Sequence, residues 1–262
     1  MPVRHQHFIF TATDYISPMS TLLQSLISWL ALPVYIWQGL HVRKNTMRMP
    51  PPPHDGWLHH APSAKGGAPL KVLVIGDSSA AGVGVSNIAD SLGGRLAPLL
   101  CERLKRPVSV RIAGMNSAMS GQIRDFVVPH IEPDGFDYIA LNIGTNDTKN
   151  LHTAGRFKRD FGTLLYALKA RFPSARIIWA GVLDMEKVPA LPSPLNRLMG
   201  IRARIIREKG KTLCAERGVL APESDWRIVP ENFSEDGFHA SAQGYGEWAQ
   251  SLAAFIVEME LG

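Results

Sequence analysis

From residue 71 onward the chain alternates short runs rich in β-branched residues with longer stretches of helical periodicity, and few architectures accept that alternation. Lys71 to Ile75, Val108 to Ile112, Tyr138 to Ile143 and Arg176 to Ala180 read as buried strands, with a weaker fifth at Val219 and Leu220. Between them Ile88, Leu92, Leu96, Leu99, Leu100 and Leu104 fall on one helical face, and so do Phe157, Phe161, Leu164, Leu165, Leu168 and Phe172. A third stripe, Trp248, Leu252, Phe255, Ile256 and Met259, closes the chain. Strands separated by helices pair in parallel and are covered on both faces. The expected fold is therefore α/β, a three-layer α/β/α sandwich on a parallel sheet of about five strands.

Residues 1–70 have a different character. They hold six of the nine histidines (His5, His7, His41, His54, His59 and His60) and nine of the nineteen prolines, including the extended run Pro50 to Pro53. This division predicts an N-terminal apolar segment and proline-rich linker over 1–70 and a main domain over 71–262. Within the first part, Leu22 to Leu40 is an uncharged stretch of 19 residues followed by His41, Arg43, Lys44 and Arg48. That is close to the roughly 20 residues a bilayer-crossing helix needs. Gln24, Ser25, Ser28, Gln38 and the central Pro33 argue against a crossing, and Trp29, Tyr35 and Trp37 suit an interface as well as a core. Membrane association through residues 22–40 is the expectation, with a helix packed on the main domain as the alternative. Basic residues that follow rather than precede the apolar run disfavour a cleaved signal. An anchor of this polarity would hold the main domain in the cytoplasm, at the inner membrane surface.

Composition excludes other classes. With 45% hydrophobic and 19% charged residues the chain can bury a core, so it is not a disordered protein. Two cysteines, Cys101 and Cys214, cannot make a disulfide-stapled scaffold or a zinc ribbon. The formal charge of +5 is small and not gathered into a run, so nucleic-acid binding is not implied.

In such a sheet, ligands bind beyond the carboxyl ends of the strands. After the first strand comes Gly76-Asp77-Ser78-Ser79-Ala80-Ala81-Gly82, after the second Asn116 to Gly121, after the third Gly144-Thr145-Asn146-Asp147, and before the last helix Asp236-Gly237-Phe238-His239. Each alone has an ordinary explanation as a turn, a cap or a surface histidine. In this order and at these places, the set resembles the GDSL family of serine esterases and lipases, in particular its SGNH subgroup. The resemblance covers about residues 71–260, and Ser79 stands where the family's name has Leu. It implies a flavodoxin-like fold, with Ser78 as nucleophile and His239 and Asp236 completing a triad. It also implies an oxyanion hole from the backbone N–H groups of Ser78 and Gly121 and the side chain of Asn146.

The chemistry of acyl transfer requires these residue types. A serine hydroxyl attacks an ester only when a base takes its proton, and an imidazole acting as that base needs a carboxylate on its other nitrogen. Asp77 is expected to orient the Ser78 turn, and Asp147 to support the Asn146 loop. The implied partner is a small acyl ester, with no cofactor and no metal. A phosphate-binding module is a poor rival, since Asn87 stands where a third glycine would follow Gly82 and Gly84, and no Gly-Lys-Ser/Thr occurs. A membrane-associated binding module with an idle hydrolase fold is the non-enzymatic alternative. The loop Val182 to Pro194 is expected to line the acyl side of the pocket.

Overall fold

A computed structural model describes residues 18–62, 67–133, 135–223 and 226–262. The histidines at positions 5 and 7 lie outside the described residues, as do positions 63–66 of the expected linker. Five strands form one mixed sheet of order β1-β3-β2-β4-β5: β1 Trp57–His60, β2 Leu70–Gly76, β3 Val108–Gly114, β4 Tyr138–Asn142 and β5 Arg176–Trp179. β2, β3, β4 and β5 are parallel. The helices are α1 Pro18–Leu30, α2 Leu32–Asn45, α3 Leu92–Leu104, the single turns α4 Ser120–Gln122 and α5 Thr145–Lys149, α6 Ala154–Arg171, α7 Leu195–Glu216 and α8 Ala242–Leu261.

Strand periodicity of two divides the apolar residues between two cores. On one face Leu73 and Ile75 of β2, with Ile139 and Leu141 of β4, pack against α6 and α7 through Phe157, Phe161, Leu165, Ala203 and Ile206. On the other, Leu70, Val72 and Val74 pack with Val110 and Ile112 against α3 and α8 through Leu92, Leu96, Tyr245 and Ile256. Both sheet faces are thus buried, which is why these strands read as continuous apolar runs. The cysteines are buried and free, Cys101 in α3 and Cys214 in α7.

Two expectations change at the sheet edges. The fifth strand is not at Val219 and Leu220, which contribute only an isolated parallel bridge from Leu220 to Ile178. It is β1, drawn from the expected linker, and it runs antiparallel to β3 with Trp57 opposite Arg111 and His60 opposite Val108. A four-residue strand with only Trp57 and Leu58 partly buried carries no periodic signal, and pairing at an edge asks for none. The wholly parallel sheet expected from the alternation is therefore parallel in four strands and antiparallel at one margin.

The apolar stretch Leu22 to Leu40 is also resolved into something different. It spans α1 and α2, which break at Leu30–Leu32, just ahead of Pro33, where the ring cannot supply an N–H to a continuing helix. Among the described residues no helix is long and apolar enough to cross a membrane. The two helices dock on α7. Tyr35 is buried and its hydroxyl donates to Leu198 O at 3.1 Å. Gln38 brackets the start of α7, donating to Ser193 O and accepting from Leu195 N–H. The guanidinium of Arg202 lies under the Trp29 ring at 4.6 Å and reaches Ser28 Oγ at 3.4 Å and His152 O at 2.9 Å.

These contacts predict the effect of removing the extension. A chain beginning at Ala68 loses β1 and uncovers the edge of β3. It also loses the buried Tyr35, a large side chain of the kind that contributes roughly 1.5–3 kcal/mol, and the half-buried Trp57. The truncated chain is expected to unfold at lower denaturant than the full chain and to aggregate more readily, read by urea denaturation and light scattering. Equal midpoints would show that residues before Ala68 contribute nothing to the fold.

Candidate active site

The four loops named above converge at the carboxyl ends of β2, β3 and β4. β2 ends at Gly76, whose φ of 151° and close approach to β4 leave no room for a side chain: a Cβ would fall 1.8 Å from Asn142 O. The chain then turns sharply. Asp77 N–H donates back to Asn142 O, and Val83 N–H closes the turn on Ser78 O. Ser78 is thereby fixed at the lip of the sheet, 7% exposed, and no hydrogen-bond acceptor among the described residues meets its own N–H.

The hydroxyl of Ser78 faces His239, with Oγ 3.0 Å from Nε2. The other ring nitrogen, Nδ1, donates to Asp236 Oδ2 at 2.5 Å. Asp236 is locked in turn, its Oδ1 accepting from Ser234 Oγ and from the N–H groups of Phe238 and His239 at 2.8, 2.8 and 2.9 Å. Burial alone would raise the Asp236 carboxyl. The hydrogen bonds from the His239 ring, its N–H and that of Phe238 outweigh burial and hold it well below the usual carboxylate range. The structure thus brings Ser78, His239 and Asp236 into one hydrogen-bonded line. Lys149 steadies the loop from the side, its ammonium 4.1 Å above the Phe238 ring.

Asp77 and Asp147 do what the sequence reading assigned to them, and more. Asp77 Oδ1 accepts from the N–H and hydroxyl of Ser79 at 3.0 and 2.8 Å, while its Oδ2 accepts from Asn146 Nδ2 at 3.3 Å. Burial raises its pKa, with the Ser79 bonds opposing. Ser79 is therefore a ligand of Asp77 and points away from the role of nucleophile. Asp147, fully buried, accepts from the N–H and hydroxyl of Ser120 and from His152 Nδ1. Ser120 lies within the Asn116 to Gly121 stretch and His152 outside every motif, but neither could be paired with Asp147 from sequence, because that contact is made only through the fold.

The two remaining expected residues are placed differently from each other. Asn146 shares a cavity with Ser78 and His239, and its Nδ2 donates to Ala118 O at 3.1 Å as well as to Asp77. Both amide hydrogens are engaged by the protein. Gly121 sits in α4 beside Ser120 and is not among the residues lining that cavity; a Cβ there would first meet the Asp160 carboxylate at 3.6 Å.

The cavity has a volume of about 250 Å³ and runs from Ser78 and His239 past Trp179 and Val182 to Trp226 and Trp248, with Arg207 and Lys211 in its wall. Of the loop Val182 to Pro194, only Val182 to Asp184 line it, whereas Met185 and Val188 are buried in the core and Ala190 N–H is bonded to Gly237 O. Asn142, at the end of β4, also lines the cavity, and neither its Oδ1 nor its Nδ2 has a hydrogen-bond partner among the described residues. Among the described residues no group of three His, Cys, Asp or Glu side chains is placed to hold a metal ion.

With this geometry in hand, comparison with known proteins is decisive for one point. A model of the GDSL-like lipase/acylhydrolase family matches residues 74–246. The chain belongs to that family. It is accordingly a hydrolase with the SGNH hydrolase fold. The extracellular lipase of Streptomyces rimosus is 14% identical with a TM-score of 0.55, the match covering 71% of this chain and 99% of that one. The lipase/acylhydrolase of Enterococcus faecalis is 18% identical at a TM-score of 0.52, covering 72% and 96%. Est24, a carbohydrate acetylesterase of Sinorhizobium meliloti, is 15% identical at 0.51, covering 72% and 99%. At such identities the likeness establishes a shared fold. No curated protein matches the chain significantly.

The depressed Asp236 pKa yields a pH prediction. Because this pKa is lower folded than unfolded, the bonds to Asp236 stabilise the fold above the ordinary aspartate value of about 3.9 and cease to do so as pH falls through the lower folded value. The stability difference between the native chain and Asp236→Asn, measured by urea denaturation, is expected to be constant above about pH 5 and to narrow below about pH 4. A gap that widens on acidification would contradict the hydrogen-bonding pattern at Asp236.

Proposed function

We propose that this GDSL-family hydrolase cleaves carboxylic esters of short to medium acyl chains through an acyl-enzyme on Ser78. The observation that carries the reading is the line Ser78 Oγ, His239, Asp236, with hydrogen-bond distances of 3.0 and 2.5 Å. His239 Nε2 takes the hydroxyl proton as Oγ attacks the ester carbonyl. Asp236 holds the ring in the tautomer with a free Nε2 and stabilises the imidazolium that forms. The imidazolium then returns the proton to the departing alcohol. A water, deprotonated by the same nitrogen, releases the acid and restores the serine.

The developing oxyanion calls for donors fixed in advance, each contributing on the order of 3 kcal/mol to the barrier. The Ser78 N–H, with no acceptor among the described residues, supplies the first. Gly121 N–H and Asn146 Nδ2 supply the others. For Asn146 this means releasing its longer bond, the one to Asp77 at 3.3 Å, as the oxyanion forms. The acyl group enters the cavity between Val182, Trp179 and Trp226. A volume of about 250 Å³ lies below the roughly 300–1,000 Å³ typical of sites for drug-sized ligands, which favours a compact acyl group. Thioester, lysophospholipid and acetylated-sugar substrates use the same machinery, and assays on them belong beside the ester series.

Ser78→Ala and His239→Ala are each expected to lower kcat by several orders of magnitude, and the double variant to be little worse than either, since the two residues act as one unit. Near-native turnover by Ser78→Ala on p-nitrophenyl acetate would remove the assignment. A fluorophosphonate should label Ser78, located by peptide mass spectrometry, and kcat/KM across p-nitrophenyl esters should decline once the acyl chain outgrows the cavity.

A further inference from the structure

The outer face of α1 and α2 has no role in the catalytic reading, yet it concentrates the exposed apolar surface of the molecule. Leu22, Leu26 and Leu30 of α1 and Ile36, Trp37 and Leu40 of α2 all face outward, Leu30 and Trp37 at 73% and 75% exposure. A large exposed apolar patch on a protein marks a place of interaction. From this we infer that the α1–α2 pair is an in-plane membrane-docking surface, seating the enzyme on an anionic lipid interface without spanning it.

The inner face excludes a spanning role. At 13 and 14 residues, α1 and α2 are each about 20 Å long, short of the roughly 30 Å hydrocarbon thickness. Ser28, Tyr35 and Gln38 fasten the pair to α7 by side-chain hydrogen bonds. Insertion across a bilayer would break every one of them. Lying flat keeps them, and presents the opposite side to lipid.

Charge selects the occupant. No acidic residue occurs between Pro18 and Met49, while Arg43, Lys44 and Arg48, all exposed, follow the apolar face directly. Apolar side chains with an interfacial tryptophan, bordered by cations, are the composition of a helix lying at an anionic lipid surface. Self-association through the same face would set two groups of three cations against each other with no carboxylate in the segment to answer them. Lipid headgroups answer them directly. The segment then continues from α2 toward the catalytic loops: Met49 Sδ lies 3.6 Å from Ser234 Oγ, and Pro52 packs beside Gly82. The docking surface and the active site are thus joined by a segment packed on the catalytic loops.

Flotation of the full chain with vesicles tests this. Binding is expected to vesicles of phosphatidylglycerol and phosphatidylethanolamine, to be much weaker to phosphatidylcholine alone, and to fall with added salt. Leu26→Ser with Trp37→Ser should weaken binding by about tenfold or more per residue, given the apolar area withdrawn from lipid. Lys44→Glu with Arg48→Glu should abolish the preference for anionic vesicles. Both double variants alter exposed positions and should hydrolyse a water-soluble ester at the native rate, which verifies their folding. Failure of the folded native chain to float with anionic vesicles would overturn the inference. So would a dimer, seen by analytical ultracentrifugation, that Leu26→Ser with Trp37→Ser dissociates while vesicle binding is unchanged, since that outcome assigns the face to a second copy.

Discussion

A carboxylate withdrawn from water must be met by donors, and three such carboxylates hold this site together. Asp77, Asp147 and Asp236 are 5%, 0% and 8% exposed, and each is met from a different part of the chain. Asp77 binds the Ser78 turn to the Asn146 loop. Asp147 binds that same loop to Ser120 after β3 and to His152 ahead of α6. Asp236 gathers its own loop around His239. Loops of an α/β sandwich are independent in sequence and free to diverge in position. Here Asp77 and Asp147 tie one loop to the next, and Asp236 fixes the loop that carries His239.

How far this was legible follows from the range of the interactions. Strands buried on both faces and helices with long apolar stripes announce themselves locally, and β2 to β5, α3, α6 and α8 lie where the periodicity puts them. The 22-residue α7 has a fainter stripe, Leu195, Met199, Ala203, Ile206 and Leu213, thinned by small residues and set among Arg202, Arg204 and Arg207. Those arginines are there for tertiary reasons: Arg202 receives α1, and Arg207 donates to Val182 O at the cavity wall. β1 was hidden in a proline-rich stretch since its hydrogen bonds are made entirely with β3. In the site, Ser78, His239 and Asp236 stood out because their chemistry restricts residue type. Ser120 and His152 did not, as a buried carboxylate accepts from any suitable donor. The resemblance puts Gly121 among the oxyanion donors, and the fold sets it in α4 beside Ser120.

Asn142 is the counterpoint to the three carboxylates. It occupies the last position of β4, where its main chain receives Asp77 N–H and crowds Gly76, so the backbone there is fully committed. Its side chain is not: an unpartnered buried amide costs roughly 1–3 kcal/mol. Neither amide atom finds a partner among the described residues, at a position that also lines the cavity beside the Ser78 turn.

The docking of α1 and α2 onto α7 also carries a kinetic consequence. The Tyr35 hydroxyl and Leu198 are 163 residues apart in sequence, and Gln38 and Leu195 are 157 apart. During synthesis α1 and α2 emerge before α7, and the surface that receives their inner faces is made only after the central strands. At about 5–20 residues per second, that leaves them without their partner for roughly ten to thirty seconds. Contacts of such separation also close slowly in a free chain, because the loop must be ordered before the contact rewards it. These apolar helices are therefore made well before α7 and are among the last elements to be covered, which leaves their inner faces open on the nascent chain for that interval.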